Sequence, residues 1–324
     1  VAFMRVPISS IVKAVFGFVL LACLAAGLYV AHAKLPALLQ DLRSRIVAQP
    51  ITPGKDVVVT IPKGASLSQV GTILQDNQVI SSKLVFKLVA LIRGEHRTVK
   101  AGDYALKTGS DAGEVLDQLI SGKTLMLSFT VPEGFDMFQV AALFEKHGIC
   151  SKDEFLRDAK DPQLLKDLGV EGVSLEGYLF PDTYSYRFSE RNDEKLLIRR
   201  MVQRFYQVYD KNVRATAEQY GWTTAQVVTL ASLIEKEAKA SEHRLVSAVF
   251  HNRIRKKMPL QSDPTVIYGI KPTGSKITKA DLTRKYEYNT YQIAGLPPGP
   301  IANPGKESLV AAVRPADVDY LYFV

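Results

Sequence analysis

Residues Ala14 to Ala33 are twenty consecutive positions without Lys, Arg, Asp or Glu. At 1.5 Å per residue, a helix of that length covers about 30 Å, the thickness of a bilayer's hydrocarbon core. The run exceeds the apolar region of an ordinary secretory signal, and Ala31-His32-Ala33 is a mediocre cleavage site, so it reads as a retained single-pass anchor. Apolar sequence continues beyond Cys23, which argues against a lipidated cysteine after Leu20-Leu21-Ala22. Arg5 and Lys13 precede the span, against Lys34, Arg43 and Arg45 on its far side. The short head at 1–13 is therefore expected in the cytoplasm and the bulk of the chain outside.

A chain of 324 residues suits two or three domains. Its 41 Lys and Arg against 33 Asp and Glu give a net charge of +8, which favours anionic surroundings such as phospholipid head groups or an acidic polymer. No zinc-knuckle spacing or RNA-recognition signature accompanies that charge, so nucleic acid is not an expected partner. Of the two cysteines, Cys23 lies in the apolar run, leaving Cys150 without a soluble partner and excluding a disulfide framework. Cys150 reads as a small buried apolar residue. The five His are scattered, so no metal site is expected, and no cofactor either.

After a stalk over 34–55, closed by Pro50, Pro53 and Gly54, the sequence repeats itself. Thr60-Ile61-Pro62-Lys63-Gly64 with Gln69-Val70 returns seventy residues later as Thr130-Val131-Pro132-Glu133-Gly134 with Gln139-Val140. Ile73 matches Leu143, Val79 matches Ile149 and Ser81 matches Ser151 at the same offset. Each copy predicts a strand, a tight turn and an amphipathic helix. Between the copies, Ala101 to Leu106 reads as a strand and Ala112 to Ser121 as a helix stopped by Gly122. Two copies make a repeated α+β unit and not a solenoid, which needs three or more. Strand, turn and helix of this size, with Gly-x-Ser-Leu in the first copy, resemble the LysM-like domains that hold N-acetylated glycans. A folding module that only spaces the C-terminal part from the membrane fits the same pattern.

Glu176-Gly177-Tyr178-Leu179-Phe180-Pro181-Asp182-Thr183-Tyr184 is dense in aromatics, and Tyr184, Tyr186 and Phe188 alternate as in a strand. Aromatic faces beside carboxylates suit sugar binding, and a hairpin with core aromatics suits the same residues. Asp193 to Tyr220 reads as one long basic helix, with Arg199, Arg200 and Arg204 on a solvated face.

The chemistry points to a helix from about Thr224 to Lys239. Val227, Leu230, Ala231, Ile234 and Ala238 share one direction, and Glu235 and Glu237 lie about 80° to either side of it. Periodicity does not choose between the two carboxylates. Local charge does: Glu235 has Lys239 at i+4, whereas Glu237 has Leu233, Ile234, Ala240 and Ser241 around it and no cation. Desolvation without a cation raises a carboxyl pKa, as a general acid requires. Further on, Leu260-Gln261-Ser262-Asp263-Pro264 reads as a loop entering a helix, with Asp263 as its N-cap and Pro264 at the first helical position. Tyr288-Asn289-Thr290-Tyr291 follows, and then Gly295-Leu296-Pro297-Pro298-Gly299-Pro300-Ile301-Ala302-Asn303-Pro304-Gly305. A proline-dense run of this kind forms a rigid wall at low ordering cost.

Together the blocks at Glu176 to Tyr184, Leu230 to Glu237, Gln261 to Tyr268, Tyr288 to Tyr291 and Gly295 to Gly305 closely resemble the YceG-like family, the membrane-anchored endolytic murein transglycosylases of bacteria. The resemblance implies an α+β fold: an N-terminal transmembrane helix, a LysM-like region over 56–128 and a catalytic domain over 129–324 with a lysozyme-like glutamate helix. It implies that Glu237 is the catalytic acid and that Glu176, Gln261, Asp263, Tyr288, Asn289 and Tyr291 line the substrate cleft. It also implies cleavage of the β-1,4 bond between N-acetylmuramic acid and N-acetylglucosamine in peptidoglycan strands, leaving 1,6-anhydro ends. The setting would be the outer face of the bacterial inner membrane, with glycan polymerases and penicillin-binding proteins as expected partners. Relatives usually continue past the Tyr320 to Val324 strand into a Gly- and His-containing segment that ends in a helix, so a chain stopping at Val324 is expected either to be a truncated catalytic domain or to have a cleft that lacks a wall. Two rival readings are a hydrolase using Asp263 or Glu176 as second carboxylate, and a tethered glycan-binding scaffold without activity.

Overall fold

The computed structural model describes residues 54–95 and 99–323. The expected span at 14–33 and nearly all of the stalk lie outside them. Among the described residues no helix is long and apolar enough to cross a membrane. The fold is α+β, in two compact units that divide between Leu125 and Met126.

In the first unit, β1 (Asp56–Ile61) pairs antiparallel with β2 (Gly102–Lys107), from Asp56 opposite Lys107 to Ile61 opposite Gly102. Alternation turns Val59 and Ile61 inward. Against them pack α1 (Leu67–Asp76), α2 (Lys83–Ile92) and α3 (Ala112–Ser121) through Val70, Leu74, Phe86, Leu116 and Leu119. Asp111 caps the start of α3, and Gly122 ends it in the left-handed region at φ 69°.

The second unit repeats that opening. β3 (Met126–Thr130) pairs antiparallel with β4 (Thr183–Arg187), and a tight turn leads to α4 (Met137–Lys146) and then α5 (Lys152–Asp158). The turn glycines, Gly64 and Gly134, have φ of 79° and 74°. Ser66 with Gln69 and Asp136 with Gln139 form the same reciprocal capping box. The equivalence slips after Val79 and Ile149. The first copy carries one more residue there, so Ser82 and not Ser81 caps α2, whereas Ser151 caps α5. Cys150 falls just before that cap, half-buried against the core, and burial pushes its thiol up to about 12.

The rest of the second unit is helical: α6 (Pro162–Asp167), α7 (Glu194–Asn212), α8 (Arg214–Gln219), α9 (Thr224–Glu237), α10 (His243–Arg255), α11 (Lys279–Thr283) and α12 (Lys306–Val313). The single helix expected from Asp193 to Tyr220 is broken at Val213, whose backbone leaves the helical region at φ −128°. Arg200 and Arg204 bind Glu190 and Asp182 at 3.0 and 2.8 Å, an ion-paired surface face. The strand expected at Tyr320 is irregular chain. Its carbonyls are taken by side chains of α10, with Asn252 Nδ2 donating to Val318 and Tyr320 and Arg253 Nε to Leu321.

α9 is the centre of this unit. Every residue from Val227 to Ile234 is buried, as in a helix enclosed on all sides. The proline-dense run lies along it, and the Ile301 amide donates to Ser232 Oγ at 3.1 Å. Gly177 fills the remaining gap at φ 85°; a β-carbon there would come within 2.5 Å of both Val228 and Pro300.

Two glycine substitutions separate backbone strain from crowding. Gly64→Ala meets open space, so it should cost only the left-handed strain of about 1–2 kcal/mol. Gly177→Ala should add overpacking of about 1–3 kcal/mol. Urea unfolding of the two variants, each followed by a probe in its own unit, checks the order.

Candidate active site

α9 stops at Glu237. Ala238 is extended at φ −144° and ψ 166°, so the helix ends two residues before the expected Lys239. That turn removes the i+4 geometry on which a Glu235–Lys239 pair depends. Glu235 has other partners: its carboxylate accepts from the Gly305 amide at 2.9 Å and from the Ser308 hydroxyl. Gly305 is the N-cap of α12 and has no side chain with which to cap it. Glu235 therefore supplies, from another helix, the acceptor and negative charge that a helix start favours. Ser308 is also 3.2 Å from His243 Nδ1, and His243 Nε2 is 3.0 Å from the Ala238 carbonyl, so the chain just past α9 is tied down as well.

Glu237 has no such helix end to cap. Ser262 Oγ donates to its Oε1. Burial raises its pKa above the ordinary carboxyl value and the nearby Asp263 charge adds to that, while hydrogen bonds from Ser262 and the Asp263 amide act the other way. The net shift is upward. Ser262 is itself fully buried and fixed by hydroxyl bonds. Its amide donates to Thr290 Oγ1 at 2.8 Å, its carbonyl accepts from Thr265 Oγ1 at 2.6 Å, and those two threonines are 2.9 Å apart.

Asp263 was expected to be the N-cap of its turn, and Ser262 holds that position instead. Asp263 is the first residue of a short 3-10 turn, Asp263–Val266, and its carboxylate accepts from the Tyr291 hydroxyl at 2.6 Å. Ser262 was not anticipated as a functional residue. The available signal was a hydroxyl beside the candidate Asp263, too common a pattern to single out.

The other candidates divide by where their polar groups point. Gln261 has a left-handed backbone at φ 51°; its amide donates to the Thr290 carbonyl at 3.1 Å and its Oε1 accepts from Arg253 at 3.3 Å. Asn289 is fully buried, and its Nδ2 donates to the carbonyls of Asp281, Leu282 and Arg284 around the end of α11. Tyr288 is buried between Tyr268 and Tyr286, at ring distances of 5.0 and 5.6 Å. Glu176 is only 2% exposed and accepts from the Met137 amide at 2.9 Å, Tyr268 OH at 2.8 Å and Asn303 Nδ2 at 3.2 Å. Burial pushes its carboxyl up to about 8 against the pull of those bonds. Asn303 also went unanticipated. Its Oδ1 accepts from the Leu179 amide and its Nδ2 reaches the Phe135 carbonyl, so the proline run is stitched to both earlier blocks.

Glu237 borders a cavity of about 200 Å³ with Glu242, Leu245, Tyr320, Tyr322 and Phe323. Asp263 and Tyr268 border another of about 240 Å³, with Lys236 and Lys271. Among the described residues no group of three or more His, Cys, Asp or Glu could hold a metal ion. Besides the fully buried Glu176, the arrangement offers a half-buried carboxyl, Glu237, with its pKa raised by burial and a hydroxyl donor fixed beside it.

A family model described as the YceG-like family matches residues 59–324. An endolytic murein transglycosylase of Bacillus subtilis (strain 168) is 35% identical over 285 residues, covering 83% of this chain and 78% of that protein. One from Streptococcus pneumoniae (strain D39) is 30% identical over 305 residues, and the chain spans 54% of its length. The crystal structure of a yceG-like protein from Listeria monocytogenes is 33% identical with a TM-score of 0.58, covering 83% of this chain and 93% of that one.

The two carboxylates of α9 should differ in their effect on stability. Glu235→Ala leaves the Gly305 amide and the Ser308 hydroxyl without their acceptor and should cost about 1–3 kcal/mol. Glu237→Gln keeps an acceptor for Ser262 and removes a carboxylate that burial disfavours, so at neutral pH stability should hold or rise. Urea unfolding of both variants beside the parent measures this.

Proposed function

The chain belongs to the YceG-like family, and on that premise we propose that it is an endolytic murein transglycosylase that cuts the β-1,4 bond between N-acetylmuramic acid and N-acetylglucosamine. The curated relatives bear that name. The observation that carries the reading in this chain is Glu237, a carboxyl raised in pKa by burial and hydrogen-bonded by Ser262 at the edge of a cavity.

In the first step Glu237 gives its proton to the glycosidic oxygen, and the bond from that oxygen to C1 of the muramic acid breaks. The carboxylate that remains takes the proton of the muramic acid 6-hydroxyl, whose oxygen closes on C1 to form the 1,6-anhydro ring. Atoms balance without water, and Glu237 ends protonated. Because the substrate brings its own nucleophile, one carboxyl suffices, unlike the two-carboxylate scheme of most glycosidases. Ser262 and the Asp263 amide stabilise the ionised form between the steps; burial favours the neutral form at the start. Gln261, Asp263 and Tyr291 are the cleft-lining candidates, with Tyr288, Asn289 and Glu176 as the floor that holds them. The bonds to Glu176 leave it poorly placed as a second carboxylate for hydrolysis. Asp263, beside Glu237, keeps the hydrolase alternative concrete.

The run at 14–33 is proposed as a single membrane span with the head inside, supported by its length and lack of charge. The region 56–128 is proposed as a LysM-like module, supported by the strand–turn–helix repeat, and 129–324 as the catalytic domain. An enzyme so anchored would meet nascent strands close to the membrane, where glycan polymerases work.

Digestion of purified peptidoglycan by the parent should release fragments with 1,6-anhydromuramic ends, read by mass spectrometry. Glu237→Gln should lose on the order of 10²–10⁴-fold in rate. Reducing-end muramic acid among the products would instead establish hydrolysis.

A further inference from the structure

α2 runs Lys83-Leu84-Val85-Phe86-Lys87-Leu88-Val89-Ala90-Leu91-Ile92 and is followed by Arg93. Three cations and no carboxylate occur in those eleven positions. The inward face is ordinary: Phe86 and Ala90 are buried in the core of the first unit. At about 100° per residue, Leu84, Leu88, Leu91 and Ile92 gather on the opposite side, roughly 180° from that buried face. A surface helix normally carries polar residues there. Here the four are 49%, 57%, 50% and 77% exposed. Lys83 and Lys87 lie on one flank of the stripe and are exposed, while Arg93, past its end, is paired with Asp117 at 2.8 Å.

We propose that the outward face of α2 is a membrane-docking surface, which inserts Leu84, Leu88, Leu91 and Ile92 at the head-group boundary of an anionic phospholipid layer. Apolar residues on one face, exposed lysines at its margin and no acidic residue on the helix are the composition of an interfacial helix on an anionic surface. The proposal rests on the anchored reading of residues 14–33. Between Ala33 and Gly54 the chain has twenty residues, which span about 70 Å at most when extended and about 30 Å if helical. Either length keeps the first unit within reach of the bilayer that the anchor would occupy. Docking would limit how far the unit swings from the membrane and would hold the chain near newly made strands.

The test uses the full chain reconstituted in vesicles containing phosphatidylglycerol, in a Trp222→Phe background that removes the single native indole. Leu88→Trp and Ile92→Trp report on α2; both side chains are exposed, so folding tolerates the change. Phe18→Trp reports separately on the anchor. Lipids brominated near the head group should quench most of the emission from either α2 indole. Lys83→Glu with Lys87→Glu, or vesicles of phosphatidylcholine alone, should restore it. Quenching at the Phe18→Trp position without quenching on α2 overturns the docking face and leaves the anchor standing. Quenching on α2 alone supports the face and overturns the anchor, and quenching at neither position overturns both. An α2 emission that shifts to the blue with protein concentration, unquenched by lipid, would assign the face to a second copy of the chain and overturn the proposal.

Discussion

The second unit depends on how α9 ends. A helix buried all round brings two carboxylates to its last turn, and the chain then straightens at Ala238. Both are half-buried, and taking a carboxylate out of water costs free energy unless something compensates it. The protein deals with the two in opposite ways. Glu235 remains a hydrogen-bond acceptor by capping α12, whose own N-cap is a glycine without a side chain. Among the described residues Glu237 meets only Ser262 and one amide, too little to offset burial, and its pKa is raised.

That division needs a frame that cannot relax. The proline-dense run lies along α9, held by the Ile301 bond to Ser232 and by Asn303, which bonds to Phe135, Leu179 and Glu176. Glu176 in turn joins the start of α4 to Tyr268. The loop carrying Ser262 is locked to Thr265 and Thr290. A hydroxyl fixed this way loses little freedom when Glu237 ionises, so the site is organised before substrate arrives. Three residues that resemble cleft lining in sequence, Glu176, Tyr288 and Asn289, are buried in the fold, and the polar groups of Glu176 and Asn289 are bonded there.

Much of this was readable in the sequence because it rests on local physics. Strand alternation, the glycines of the two turns, the Ser66–Gln69 and Asp136–Gln139 boxes and the stop of α3 at Gly122 are all encoded within a few residues. The difference between Glu235 and Glu237 was readable too, but for a reason the fold does not use. A pairing with Lys239 was inferred from i+4 spacing, whereas the partner is the start of α12, seventy residues away. Ser262, Asn303 and the inward direction of Glu176 were not readable, because each is defined by contacts between segments distant in sequence. The break at Val213 was missed since helix periodicity continues across it.

The most direct measurement is the titration of the Glu237 carboxyl itself, read from the infrared or carbon-13 carboxyl signal that is lost in Glu237→Gln. The account predicts that this carboxyl stays protonated above the ordinary value of 4.5. It also predicts that Ser262→Ala, which removes a bond favouring the ionised form, moves the titration to still higher pH. A carboxyl that ionises at or below the ordinary value, or one whose titration falls when Ser262 is replaced, would contradict it.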